Sequence, residues 1–165
     1  MKINTIYQQG NFEISQNYSI KTEKKKPISL NQNLESLQLL SQNSINHYRK
    51  KFNYIHIGLV QVAIKPLFRL SLDIPVFVGL RDARSTRFID SVLSMIDSNL
   101  ANGPVYFNCF PNFSMNINDP SIISSLTLNI KTKNMNFVEE AQTIAIIYRI
   151  YYKVMTTQLN PRAIC

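Results

Sequence analysis

Leu126, Leu128 and Ile130 alternate with Thr127, Asn129 and Lys131. A backbone whose side chains point to opposite faces at every step can bury one set and wet the other, so this stretch reads as a strand of a sheet with one solvated face. Four further runs share the β texture. Tyr54 to Ile64 is rich in branched residues, and its apolar parity shifts around Gly58 and Leu59, as a bulge or burial on both faces would require. Pro66 is expected to end that strand. Ile74, Val76, Val78 and Leu80 share one face of a second strand ending at Arg81, and Val105–Phe113, Ile123–Thr132 and Thr143–Met155 complete a set of five. Between the second and third of these, Val92, Leu93, Ile96 and Leu100 fall on one side of a helix expected from Asp90 to Leu100, with Asp90 as N-cap and Gly103-Pro104 as the stop. Many strands, few helices and punctuation at Asn112, Asn118-Asp119-Pro120 and Asn134 predict a mainly β fold, an antiparallel sandwich and not a parallel α/β sheet.

Upstream the texture differs. Residues 1–29 mix amides and hydroxyls with the run Lys21, Lys24, Lys25 and Lys26, and read as a flexible basic arm or solvated linker. Leu34, Leu37, Leu40 and Ile45 recur at helical spacing, so residues 30–53 are expected to form one or two short helices, with Arg49, Lys50 and Lys51 at the end where cations suit the helix dipole. Residues 54–158 form the expected β core, and 159–165 a tail that reads as truncated.

The net charge is +8, with eight Lys or Arg against three acids through Asn53 and ten against seven thereafter. That balance favours an anionic partner, nucleic acid or an acidic membrane face. Enzymatic chemistry has no visible constellation. Four glycines, at positions 10, 58, 79 and 103, build neither a phosphate loop nor a dinucleotide fingerprint, and no serine lies in a nucleophile elbow. His47, His56, Cys109 and Cys165 include no pair at zinc spacing, so no metal or other cofactor is expected. His56 reads as a structural histidine, His47 as exposed, and Cys109 as a structural thiol in a chain kept reduced. No apolar run reaches the length of a spanning helix. Tyr148, Tyr151 and Tyr152, interleaved with Arg149 and Lys153, could stack bases, but packing on the faces of a strand is the favoured reading.

Asp82 follows the second strand directly. If the strand continues regularly, its carboxylate points to the core and needs an arginine or turn amides as partners, which makes its role structural.

The same segment carries a resemblance. Tyr54–Leu67 (YIHIGLVQVAIKPL), Gly79–Arg84 (GLRDAR), Asn102–Phe113 (NGPVYFNCFPNF), Leu126–Ile130 (LTLNI) and Ile144–Lys153 (IAIIYRIYYK) occur in the order found in the thirty-K superfamily of plant-virus movement proteins. Within it the sequence is most similar to the pararetrovirus branch, the Caulimoviridae and their relatives. The resemblance implies a jelly-roll fold and a non-enzymatic protein with no small-molecule substrate. It also implies non-specific binding of single-stranded nucleic acid, self-association into oligomers or tubules, host plasmodesmal or membrane-associated partners, and a place in host-plant cytoplasm and plasmodesmata. The family's signature aspartate falls on Asp82. Candidate phosphate contacts are Lys21, Lys24, Lys25, Lys26, Arg49, Lys50, Lys51, Arg84 and Arg87. The alternatives are a capsid-like assembly protein and a non-functional endogenous viral relic. A jelly-roll needs eight strands. Only five are legible in the sequence.

Overall fold

A computed structural model describes the backbone of residues 17–24, 34–67, 73–132 and 144–156, with side chains from residue 36 onward. Its strands are β1 (Asn17–Lys24), β2 (Leu34–Gln38), β3 (Tyr54–Pro66), β4 (Pro75–Arg81), β5 (Val92–Asn99), β6 (Val105–Cys109), β7 (Phe113–Asn116), β8 (Thr127–Thr132) and β9 (Ile144–Met155); its helices are α1 (Gln42–Arg49) and the single turn α2 (Phe88–Ser91). One sheet runs β1-β9-β3-β6, with β7 following β6 along the same edge of β3, and the other runs β2-β8-β4-β5. All the pairings are antiparallel. Consecutive strands repeatedly change sheet, and each sheet has four strand positions. This is a jelly-roll.

The core lies between the sheets, and strand parity builds it. β9 sends Ile144, Ile146, Tyr148, Ile150, Tyr152 and Val154 inward, facing Val76, Val78 and Leu80 of β4 and Leu128 and Ile130 of β8. On β3 the inward set is Ile55 and Ile57, then Val60, Val62 and Ile64. The one-residue slip is a bulge between Ile57 and Leu59, where the register against β9 shifts. Of the two explanations for the parity change at Gly58, the bulge is the one that the pairing displays.

Several expectations need correction. The helix expected over Asp90–Leu100 is strand β5, preceded only by the four residues of α2. Its apolar residues have helical spacing because the register between β4 and β5 also shifts, at Leu80/Arg81, which lets Leu93 pack against the core as well as Ile96. Seven paired positions along β4 then override a weak local preference. The arm expected through residue 29 contains β1, which pairs with β9 from Asn17 to Lys24. Within the segment expected to be helical, Leu34 and Leu37 lie on β2, and only Gln42–Arg49 is helix. The strand expected from Val105 to Phe113 is broken at Phe110–Asn112, where Asn112 takes a φ of 49° after Pro111, and resumes as β7. The strand expected from Ile123 begins at Thr127, after a 3-10 turn at Ile122–Ser125. Residues 1–16, 25–33 and 157–165 lie outside the described residues, and with them most of the arm, including Lys25 and Lys26, and the tail.

Candidate nucleic-acid interface and the Asp82 clasp

The β4–β5 turn begins where β4 stops, at Arg81, so Asp82 does not continue the strand into the core. Its amide donates to the Ser91 carbonyl at 2.7 Å, the amide of Ala83 to Ser124 at 2.8 Å, and the amide of Ser85 back to the Asp82 carbonyl at 3.2 Å. The Asp82 side chain is 20% exposed. Both of its oxygens are taken by Arg84, with Nε donating to Oδ1 at 2.9 Å and Nη2 to Oδ2 at 2.6 Å, while the Arg84 amide adds a third bond to Oδ1 at 3.1 Å. The planar guanidinium matches the carboxylate fork, a geometry lysine lacks.

Arg84 does more than neutralise Asp82. Its Nη1 reaches Asp119 Oδ2 at 3.3 Å on the β7–β8 loop, and its guanidinium lies 5.8 Å from the Phe113 ring. Asp119 is held in turn by the Ser121 hydroxyl at 2.6 Å and amide at 2.8 Å. Those two bonds, with Arg84 behind them, hold the Asp119 carboxyl below the usual range, and the bond to Asp82 is the main cause that raises the Arg84 guanidinium. The result is a clasp of two acids and one arginine joining two loops. The sequence marks Asp119 only as part of a turn, and nothing in its spacing identifies it as Arg84's partner.

At the same end of the sandwich, Arg49 closes α1 onto the β7–β8 loop, its Nε donating to the Ile117 carbonyl at 2.9 Å and its Nη1 to Asn46 at 3.2 Å. Lys50 and Lys51 follow, both exposed. Arg87 is 76% exposed and lies 3.3 Å from Asp90. The candidate phosphate contacts therefore divide. Arg84 and Arg49 are engaged in protein contacts, Arg87 is paired with Asp90 yet largely exposed, and Lys50 and Lys51 present their charge to solvent. Lys21 and Lys24 stand on β1, and the contacts of their side chains lie outside what the structure describes.

The tyrosines of β9 are buried, Tyr148 at 2%, Tyr151 and Tyr152 at 4%, and Tyr152 shares a 2.8 Å hydroxyl bond with Tyr48 of α1. They pack on the faces of their strand and offer no ring to a base. His56 is also buried, with Nε2 3.1 Å from Asn112 Oδ1, and Lys153 stands opposite it on β9. Burial, reinforced by Lys153 and opposed by Asn112, lowers its pKa. His47 is exposed on α1, and burial raises the Cys109 thiol. Among the described residues no three His, Cys, Asp or Glu side chains cluster to hold a metal, and no helix is long and apolar enough to cross a membrane.

The family model for viral movement protein (MP) matches residues 1–160. The chain belongs to the viral movement protein family. Curated relatives include the movement protein of soybean chlorotic mottle virus, 32% identical over 63% of this chain and 35% of the relative, and that of cauliflower mosaic virus strain BBC, 27% identical over 70% and 38%. These support a movement protein of the thirty-K type. The chain spans between a third and two fifths of the length of these two relatives. The movement-protein family is generally non-enzymatic. Among solved structures the fold resembles that of Desmodium yellow mottle tymovirus, with a TM-score of 0.60 at 11% identity over 88% of this chain and 83% of that one. Tobacco necrosis virus gives 0.56 at 13% identity over 94% and 87%. At such identities the likeness speaks for the fold alone, a movement-protein core built as a viral jelly-roll.

Proposed function

We propose that this movement protein binds single-stranded nucleic acid without sequence preference, associates with itself, and carries a viral genome between host plant cells through plasmodesmata. The family match over residues 1–160 carries the reading. Physical support comes from the net charge of +8 and from the exposed cations Lys50, Lys51 and Arg87 at one end of the sandwich. In this reading Lys21, Lys24, Lys25 and Lys26 extend that basic surface, and host plasmodesmal or membrane-associated proteins are further partners. Asp82 serves by holding the β4–β5 turn in place. Contact with phosphates displaces counterions, so the logarithm of the affinity falls linearly with the logarithm of salt concentration, by a slope of roughly 0.7 per phosphate neutralised on a single strand. Titrating a single-stranded oligonucleotide of mixed sequence at several salt concentrations tests this. A steep slope shared by unrelated sequences supports the reading, and a flat slope or a strict sequence preference overturns it.

A second reading is favoured by one observation, the likeness to virus structures with TM-scores up to 0.60. In it the jelly-roll assembles as a capsid-type protein and the basic arm neutralises packaged nucleic acid. Electron microscopy of the assembled protein separates the two, since open tubules fit transport and closed shells fit a capsid.

A further inference from the structure

The chain has 18 lysines and arginines, yet from Phe88 through Ile130 there is none. That segment contributes β5, β6 and β7, which form one edge of each sheet. The two edges lie on the same side of the sandwich: β5 and β6 approach one another, and the Cys109 thiol of β6 donates to the Leu93 carbonyl of β5 at 3.6 Å. A whole side of a strongly basic molecule is thus made by strands without a cation. It also displays apolar side chains, with Met95 51% exposed, Phe110 58% and Tyr106 69%.

The four sheet edges differ in how they resist pairing with another chain. β1 carries Lys21, Glu23 and Lys24, and β2 has only five residues, one of them Glu35. The β6–β7 edge is broken by Pro111 and by Asn112 with its positive φ. β5 is eight residues long, contains no proline or lysine, and has Asp97 as its single charge. Among the described residues no strand pairs with it except β4. Proteins ordinarily blunt an exposed edge with lysine, proline, shortness or a bulge; β5 has only the register slip at its start, opposite Leu80/Arg81, and pairs regularly with β4 from Ser94 to Asn99.

We propose that β5 is a self-association surface, and that its occupant is β5 of a second copy of this chain, paired antiparallel about a two-fold axis so that two four-stranded sheets become one across both molecules. An isologous contact needs a strand compatible with itself. β5 meets that need, since its hydroxyl, amide and apolar side chains bring no pair of cations together. Charge argues for the same occupant. Two molecules of net charge +8 repel each other least along strands that carry no cation, and a polyphosphate finds no partner on those strands. The proposal rests on the self-association in the reading above and gives it a location on an edge strand that carries no cation.

The test is sedimentation of the full chain over a range of concentrations, for the wild type and for Met95→Lys, Asp97→Lys and Ser36→Lys, with melting curves and single-stranded oligonucleotide binding measured in parallel. Met95 and Asp97 are exposed, so a lysine at either can be accommodated in the fold; if one variant fails to fold, the other carries the test. Ser36 is an exposed position on the opposite edge of the same sheet, on β2. The expected result is a wild type that self-associates, β5 variants weakened about tenfold or more by the gatekeeping lysine, and a Ser36 variant that behaves as wild type. A wild type that stays monomeric, β5 variants that associate as tightly as wild type, or a Ser36 variant weakened equally would each overturn the proposal, as would loss of oligonucleotide binding along with association. Absent oligonucleotide binding beside β5-dependent association would instead sink the nucleic-acid reading and support this one.

Discussion

Asp82 shows how one carboxylate can govern a loop. Replacing it by Asn keeps the shape but removes the charge that holds both prongs of Arg84, leaving that guanidinium with Asp119 alone. A charge-assisted pair that remains partly solvated is worth about 1–2 kcal/mol, so Asp82→Asn should lower stability by about that much in chemical denaturation. Arg84→Lys should lose a similar amount, because a lysine supplies one point of contact where the fork needs two. A double variant that costs no more than either single one would show that the two residues act as a pair. His56 gives a second, pH-dependent prediction. Its pKa is lowered in the folded state from 6.5, so the unfolded chain takes up the proton first. The His56 contribution is therefore neutral above that value, and stability falls as pH drops through it toward the folded pKa. Melting curves between pH 7.5 and pH 5 should show this loss, and His56→Gln should flatten it. Asp119 acts in the acid range, where its depressed pKa means that the stability it contributes is present above 3.8 and disappears as pH falls through the folded value.

Among the described elements, the β5–β6 connection contains a backbone position that demands glycine. Gly103 has a φ of 98°, a region that L side chains rarely adopt, and it closes the 3-10 turn at Leu100–Asn102 by donating to the Leu100 carbonyl. Gly103→Ala should cost about 1–2 kcal/mol through backbone strain, measurable by thermal melting, because a Cβ there meets nothing within 4 Å. Element by element, what the sequence reveals depends on where a strand sits in its sheet. The four interior strands, β3, β4, β8 and β9, are all legible, since burial between two neighbours makes their apolar pattern dense. β1, β2 and β5, the three that no sequence pattern shows, are edges. An edge strand buries less, carries more polar residues and loses its period wherever a bulge intervenes. Lys21, Glu23 and Lys24 make β1 look like solvated arm, and the slip at Leu80/Arg81 gives β5 a helical spacing. The jelly-roll is reached from the sequence only through the family resemblance. Asp82 can be picked out by position, but its partner Asp119 lies across a loop connection that no local pattern encodes.

For the whole molecule, the distribution of charge follows the fold. The exposed cations Lys50, Lys51 and Arg87 stand at one end of the sandwich, Lys65, Lys131 and Arg149 are exposed on other strands, and the strands β5, β6 and β7 carry none. If nucleic acid tracks the basic end, replacing Lys50, Lys51 and Arg87 together by Ala should lower the magnitude of the salt slope by roughly 0.7 for each phosphate no longer neutralised, uniformly across sequences and without changing the melting temperature. The most direct test is the chain fused to a fluorescent protein and expressed in single cells of leaf epidermis. Puncta at plasmodesmata together with spread of the tag into untransformed neighbours are the predicted result. A tag that stays diffuse in the first cell would contradict the movement function.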